Sequence, residues 1–552
     1  MNKFLNQKVF LILILFLGAF LRIWNLNSVP PSPSMDESSI GYNAYSVLKT
    51  GGDEYGEFPL ISQRGYDDWR RSTYLFLTIP FIGLLGLNVV AVRLPAVILS
   101  VLTIWATYHI VLLLFSKRSA FSSGVAFLTS FLLAISPWHI YISRLGHESN
   151  ACLSFLLFGI LFFLQGEKNK SWRRILISMI FLTFSMVSYY SGQAFIPLFV
   201  AGLFFIFRKN LLSMVAADRK ILVPFFALAV FIVPVFWAIF SPQALVRFQG
   251  TSTFKPEVHS KMFGQRVILW NKAVENKDII GMIVYHRHLF PLVVFAEGYF
   301  SHFNPKWLFT NSFSEPFKAP HTGLLNLWEA PFIIMGIFVL VFSKFADQKN
   351  KKLVFLWFLL APIPAAIATQ APHAMRFYNS LPLWQMFTAF GLSYIFYRFR
   401  NLKFFMSIIF IFMAISGLLF FCRDYFVNFP KEQSSSFHYT LSKTIPYVLS
   451  IEDSYDKIIF SNQENLYQSY MLLLFHSKYN PLLYQQQGGT ISGGFAQTHK
   501  FGKYEFRPVV WDKDKLLTNT LFVGNDYEFP KQLTGKLFTN LDGRGAIRIV
   551  QR

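Results

Sequence analysis

Asp36 and Glu37 are the residues of this chain best placed to do chemistry. They lie beyond a proline-rich turn, in the stretch WNLNSVPPSPSMDESSIGYNAYSVL, just after an apolar run that closes at Arg22. A carboxylate near a membrane plane suits a general base, because partial desolvation raises its proton affinity toward the working pH. The position suits a helix N-cap too, where a side-chain oxygen before SSIGYNAYSVL satisfies orphan N–H groups; by position alone the cap is slightly ahead. Asp53, Glu54 and Glu57 follow and read as solvated loop charge. Arg70 and Arg71 precede a further apolar segment and fit a phosphate at headgroup level. They fit an anchor to ordinary anionic lipid equally well. Pro137-Trp138-His139, Arg144 and His147-Glu148 form a second constellation. Glu148 opens an apolar run there, where a carboxylate either complements the helix dipole or faces a polar cavity. The third is Ala371-Pro372-His373-Ala374-Met375-Arg376, between two apolar runs. His373 and Arg376 beside a bilayer are costly unless paired with an anion or a carboxylate. Together these groups put acidic and basic side chains on one face of a membrane, as a site for a lipid-linked phosphate requires.

The elements that must position them are membrane spans. Of 552 residues, 53% are hydrophobic, only 14% are charged and 65 are Phe, with a mean hydropathy of +0.40. A soluble domain carries about 25% charged residues, so a string of soluble domains is excluded, and so is disorder. Apolar runs fall near 8–25, 92–115, 121–137, 151–165, 175–191, 194–207, 221–240, 326–343, 353–369, 380–397 and 404–421. They predict about eleven transmembrane helices across ~30 Å of hydrocarbon. The first follows Lys3 and Lys8 but lacks a small-residue cleavage site, so it reads as a retained span rather than a signal peptide.

The net charge of +22 is mostly topological. Alternate connections hold Lys117 and Arg118; Lys168, Lys170, Arg173 and Arg174; Arg208, Lys209, Arg219 and Lys220; Lys344, Lys349, Lys351 and Lys352; and Arg398, Arg400 and Lys403. The short members of the other set hold only Arg144 and Arg376. The positive-inside rule then puts the N-terminus in the cytoplasm, and 26–91, 241–325 and the chain after 422 outside. Nucleic acid is not an expected partner. Segment 73–90, interrupted by Pro80, Gly83 and Gly86, reads as a helix lying at the outer interface, because a span there would invert every later loop. Segment 279–299 reads similarly, with His286, Arg287, His288 and Pro291 at its middle.

Residues 1–425 therefore make a transmembrane domain and 426–552 a small α/β domain on the outer face. Short β-branched or aromatic runs at 457–460, 519–523 and 546–550 predict strands, and 464–477 predicts an amphipathic helix. Gly488-Gly489 and Gly493-Gly494 flank a polar stretch that reads as a flexible loop, not a phosphate cradle. Cys152 and Cys422 sit in apolar runs and read as packing residues. The spacing of His286 and His288 does not suit two metal ligands on one helix face. No internal repeat supports an inverted-repeat transporter.

The order of motifs resembles a known family. Arg22, the proline-rich turn and Asp36-Glu37 are followed by Arg93-Leu94-Pro95, then Ser136-Pro137-Trp138-His139 with Arg144 and Glu148. Later come His302-Phe303-Asn304-Pro305-Lys306-Trp307-Leu308-Phe309, His321-Thr322-Gly323, Ala361-Pro362-Ile363-Pro364 and Pro372-His373-Ala374-Met375-Arg376. Over roughly 8–421 the chain looks like glycosyltransferase family 39, the protein O-mannosyltransferase and aminoarabinose transferase group with the GT-C membrane fold. The resemblance implies a membrane glycosyltransferase that moves mannose or a similar hexose or pentose. The donor would be a polyprenyl-phosphate sugar such as a dolichyl phosphate sugar. Transfer would go to an acceptor on the outer face, a lipid, glycan or protein, with inversion at the anomeric carbon. Asp36 matches the catalytic aspartate and Glu37 its acidic neighbour. Arg71, or Arg70 beside it, matches a basic residue on the donor phosphate. Glu148 and Arg144 match a second polar pair, and His373 and Arg376 a late outer loop lining the donor cavity. No cofactor is assigned, although acidic residues of the first loop offer ligands to a divalent metal. An outer-face glycan polymerase or ligase and a lipid-linked sugar transporter are the alternatives.

Overall fold

The computed structural model describes residues 2–66, 68–115, 119–224, 226, 233, 256–310, 315, 318–342, 347–368, 370–490 and 499–552. Most of the expected span 221–240, the start of the 241–325 loop, and Lys117, Arg118, Lys344, Gly493 and Gly494 lie outside the described residues.

Nine helices and a hairpin make up the first part of the chain: α1 (Asn2–Ile23), α2 (Met35–Thr50), β1 (Ser62–Gly65), β2 (Asp68–Arg71), α3 (Thr73–Leu85), α4 (Val89–Leu114), α5 (Ser119–Ala134), α6 (Pro137–Ser143), α7 (Glu148–Lys168), α8 (Trp172–Ser188) and α9 (Tyr190–Ala217). Among the described residues each expected apolar run outside 221–240 contains a helix. Among the described residues four helices are long and apolar enough to cross a membrane: Val89–Leu114, Glu148–Lys168, Tyr190–Ala217 and Arg400–Glu432. α5 and α6, bent by 53° at Ser136-Pro137, make a fifth if counted as one span. Helices Ala330–Phe342 and Gln348–Leu360 have 13 residues each and Leu383–Arg398 has 16. Gln348–Leu360 ends just before Pro362 and Leu383–Arg398 starts just after Pro382, because a proline inside a helix loses an N–H donor and brings a ring clash.

α3 also has 13 residues, about 20 Å at 1.5 Å per residue, too short to cross. Segment 279–299 breaks into Ile279–Val284 and Phe290–Ser301, with His286, Arg287 and His288 exposed between them.

Beyond residue 430 the chain builds a six-stranded sheet, in the order β4-β5-β3-β6-β8-β7. Its strands are β3 (Lys457–Phe460), β4 (His499–Phe501), β5 (Tyr504–Phe506), β6 (Thr520–Asn525), β7 (Lys536–Phe538) and β8 (Ile547–Gln551). β3 runs parallel to β5 and β6, and the other pairs are antiparallel. β3, β6 and β8 match the three expected strands within two residues. The three-residue strands β4, β5 and β7 carry too little pattern to read. The expected helix over 464–477 is corrected: a 3-10 turn at Glu464–Leu466 is separated from the helix Ser469–Ser477 by Gln468 at φ 60°. That helix is not amphipathic in place, for Ser469 to Phe475 are all buried. One hydrophobic core joins Tyr42, Tyr66, Leu75 and Val92 of the first loop and α4 to Ile445, Phe460, Met471 and Phe475.

Candidate active site

α2 begins with a capping box. Ser34 Oγ accepts from Glu37 N and the Glu37 carboxylate accepts from Ser34 N at 2.9 Å. The N-cap considered for Asp36 therefore falls to Ser34, two residues earlier. Asp36 and Glu37 lie about 100° apart around the helix and have separate fates. Glu37 turns inward, paired with Arg93 at 2.7 and 3.0 Å and accepting from Gly146 N at 2.9 Å. Arg93 also donates to the carbonyls of Leu26, Pro30 and Ser32, so this pair clamps the proline-rich turn to α4. Asp36 turns outward, with its side chain 37% exposed and ion-paired to Arg70 at 2.5 Å.

The hairpin β1–β2 delivers the two arginines. Successive strand residues point to opposite faces. Arg70 reaches Asp36 and lies over the Tyr66 ring at 5.7 Å. Arg71 donates to Ser62 Oγ at 2.8 Å and lies over the Tyr190 ring at 4.9 Å. Tyr190 OH in turn donates to Trp69 O at 2.6 Å. His147 caps α7: its Nδ1 accepts from Ser149 N at 3.1 Å. The other ring nitrogen, Nε2, lies 3.4 Å from Glu148 Oε2. The loop with His373 and Arg376 is held by its backbone. His373 N donates to His302 Nε2, Ala374 N to Glu315 Oε1, and Trp138 Nε1 to Ala374 O. Burial first, and the Arg376 charge second, push the His373 imidazole down to about 3, so it is neutral. Its buried Nδ1 has no hydrogen-bond partner among the described residues.

Asp36, Arg70, Arg71, Glu148, His373 and Arg376 all line one cavity of about 220 Å³, together with His147, Ser188, Tyr189, Tyr190 and Met375. Three guanidinium groups face two carboxylates in a partly enclosed space, an arrangement that suits an anion. Glu37 and Arg144 do not line it. Arg144 is buried and donates to the carbonyls of Leu21, Arg22 and Val29, tying off the end of α1. Asp36 and Glu148 are the two carboxylates on the wall. Among the described residues no group of three or more His, Cys, Asp or Glu comes together to hold a metal ion.

Asp53 and Glu54, expected as solvated charge, are buried, while Glu57 is exposed. The Glu54 carboxylate accepts from Asn43 Nδ2, Tyr470 OH and Thr490 Oγ1. Burial pushes its carboxyl up to about 7 and that of Asp53 up to about 6. The sequence hid this because the covering residues lie more than 400 positions away. Tyr189 and Tyr190 carry a different signal: an aromatic pair at the end of a span reads as an ordinary interfacial belt.

Residues 74–237 match the family model for dolichyl-phosphate-mannose-protein mannosyltransferase. That stretch includes Glu148 and the two tyrosines and leaves out Asp36, Arg70 and Arg71. ArnT from Cupriavidus metallidurans bound to undecaprenyl phosphate matches with a TM-score of 0.52 at 11% identity, over 99% of this chain and 98% of that one. The oligosaccharyltransferase of Archaeoglobus fulgidus, in complex with Zn and sulfate, matches with a TM-score of 0.51 at 15% identity, over 85% of this chain and 61% of that one. The chain thus spans about three fifths of the length of the archaeal oligosaccharyltransferase. No curated protein matches by sequence. The fold is that of the GT-C membrane glycosyltransferases. Over residues 74–237 the chain is similar to that mannosyltransferase family, and over nearly its whole length it shares its fold with ArnT.

Proposed function

We propose that the chain transfers a sugar, mannose or a similar hexose or pentose, from a polyprenyl-phosphate donor to an acceptor at the outer face of the membrane. The observation that carries the reading is Asp36 on the wall of a cavity that Arg70, Arg71 and Arg376 also line. The acceptor hydroxyl attacks the anomeric carbon from the side opposite the phosphate. The bond from that carbon to the phosphate oxygen breaks, and polyprenyl phosphate leaves with the electron pair. Asp36 takes the acceptor proton. The arginines hold the phosphate and spread its charge as the bond breaks, where preorganised donors stabilise a transition state most. A donor phosphate also competes with Asp36 for Arg70. A carboxylate that loses part of its counter-charge gains proton affinity, so donor binding arms the base. His373, kept neutral by burial, offers a hydrogen bond without adding to the charge of the three arginines. Glu148 with His147 supplies the opposite wall. Glu37 and Arg144 contribute as the frame that holds α2 and the end of α1.

Two of the connections that meet at the site are short and hold only Arg144 and Arg376 as basic residues, which supports an outer face, a cytoplasmic N-terminus and an extracytoplasmic unit after 426. The test is transfer of radiolabelled sugar from polyprenyl-phosphate donors by purified protein and by Asp36→Asn. Transfer should fall at least about a thousandfold in the variant, with donor binding and thermal stability retained. Equal turnover in both removes Asp36 from the reaction. A protein that binds donor without turning it over points instead to transport of the lipid-linked sugar.

A further inference from the structure

The hairpin that delivers Arg70 and Arg71 cannot hold them by itself. It has two strands of four residues, and an isolated two-stranded hairpin is marginal in water. On one side Tyr190 holds Trp69 O and Arg71; on the Arg70 side its support comes from the far end of the chain. Tyr66, at the hairpin turn, is buried and donates from its hydroxyl to Met35 O at 2.9 Å, one residue before Asp36. The same ring lies 5.7 Å from the Arg70 guanidinium, so Tyr66 touches the residue before Asp36 and the arginine paired with Asp36. Its ring is met edge-on, at 6.0 Å and 75°, by Tyr470. The Tyr470 hydroxyl donates to the buried Glu54 at 3.2 Å. Glu54 is itself held by Asn43 of α2 and by Thr490.

We propose that the outer α/β unit is part of the donor site: Tyr470 is a positioning residue that, bonded to Glu54 and packed on Tyr66, holds Arg70 for the donor phosphate. The proposal rests on the reading of this cavity as the donor site. Tyr470 itself need not touch the donor. Without its ring, Tyr66 has room to move, and the arginine above it loses a fixed position. An arginine that must be ordered on binding holds its anion less tightly than one already in place.

The test uses the full chain in detergent, with undecaprenyl phosphate as the probe and two readouts. Hydrogen–deuterium exchange in β1 and β2 needs no ligand, and it should speed up in Tyr470→Ala while α4 and α7 stay protected. Affinity for the probe should fall about tenfold in Tyr470→Ala and about threefold in Tyr470→Phe, which keeps the ring and loses the Glu54 bond. In an Arg70→Ala background Tyr470→Ala should cost nothing more, because residues acting as one unit are non-additive. Unchanged exchange in the hairpin, or losses that simply add, overturns the proposal. If Tyr470→Ala does not fold, Tyr470→Phe decides, and an affinity equal to that of the unmodified protein overturns it. If the unmodified protein does not bind the probe, the donor reading fails, and the exchange measurement still decides whether Tyr470 holds the hairpin.

Discussion

Asp36 and Glu37 are neighbours in the chain whose side chains do different work, and substitutions should separate them. Glu37 is buried against Arg93, so Glu37→Gln leaves a guanidinium without its counter-charge. Breaking a buried pair from one side costs about 3–5 kcal/mol. That loss should appear as a lower unfolding temperature, with activity falling only in proportion to folded protein. Asp36 is partly exposed, so Asp36→Asn should cost under about 1 kcal/mol of stability while abolishing transfer. Glu54 adds a pH dependence. Burial raises its carboxyl from 4.5 to about 7, so the folded state binds the proton more tightly than the unfolded chain. The stabilisation is complete below about pH 4.5 and is lost as pH rises through about 7. Asp53, raised to about 6, acts in the same direction. Limited proteolysis of the C-terminal α/β unit should therefore be faster at pH 8 than at pH 6. Glu54→Gln, neutral at every pH, should flatten the difference.

At the scale of elements, the late helices show how packing in the membrane sets the site. Ala330–Phe342 and Leu383–Arg398 cross through two glycines. A Cβ at Gly336 would lie 1.8 Å from Phe387 O, and one at Gly391 would lie 2.1 Å from Phe332 O. Small residues permit this approach, and close backbone packing is a main source of helix association in lipid. Gly391→Val should push the helices apart and cost about 1–3 kcal/mol or more. Because the loop with His373 and Arg376 leads into Leu383–Arg398, donor affinity should fall with it, measured on the fraction that remains folded. The helices themselves were legible in the sequence, for each is an unbroken apolar run. Their lengths were not, because a proline between two apolar runs can end a helix or only bend it, and its packing decides which.

For the whole molecule, the boundary at residue 425/426 is a change of composition but not a break in the core. Tyr42 and Tyr66 of the first loop share one cluster with Phe460 and Met471. A chain ending at residue 432 should therefore keep its membrane helices but lose order in the first loop. Proteolytic cleavage between Gly51 and Gly65 would report that loss. By itself, the sequence determined the membrane-embedded helical class and six of the residues that meet in the cavity. It did so because hydrophobic run length, Lys/Arg placement and costly charges beside a bilayer are local properties of a chain. Only the tertiary structure decided that Glu37 and Arg144 serve the frame, that Asp53 and Glu54 are buried, and that Tyr470 packs on Tyr66. Those assignments depend on which distant segments come together, and a carboxylate's neighbours across space, rather than its neighbours along the chain, set its charge and its work.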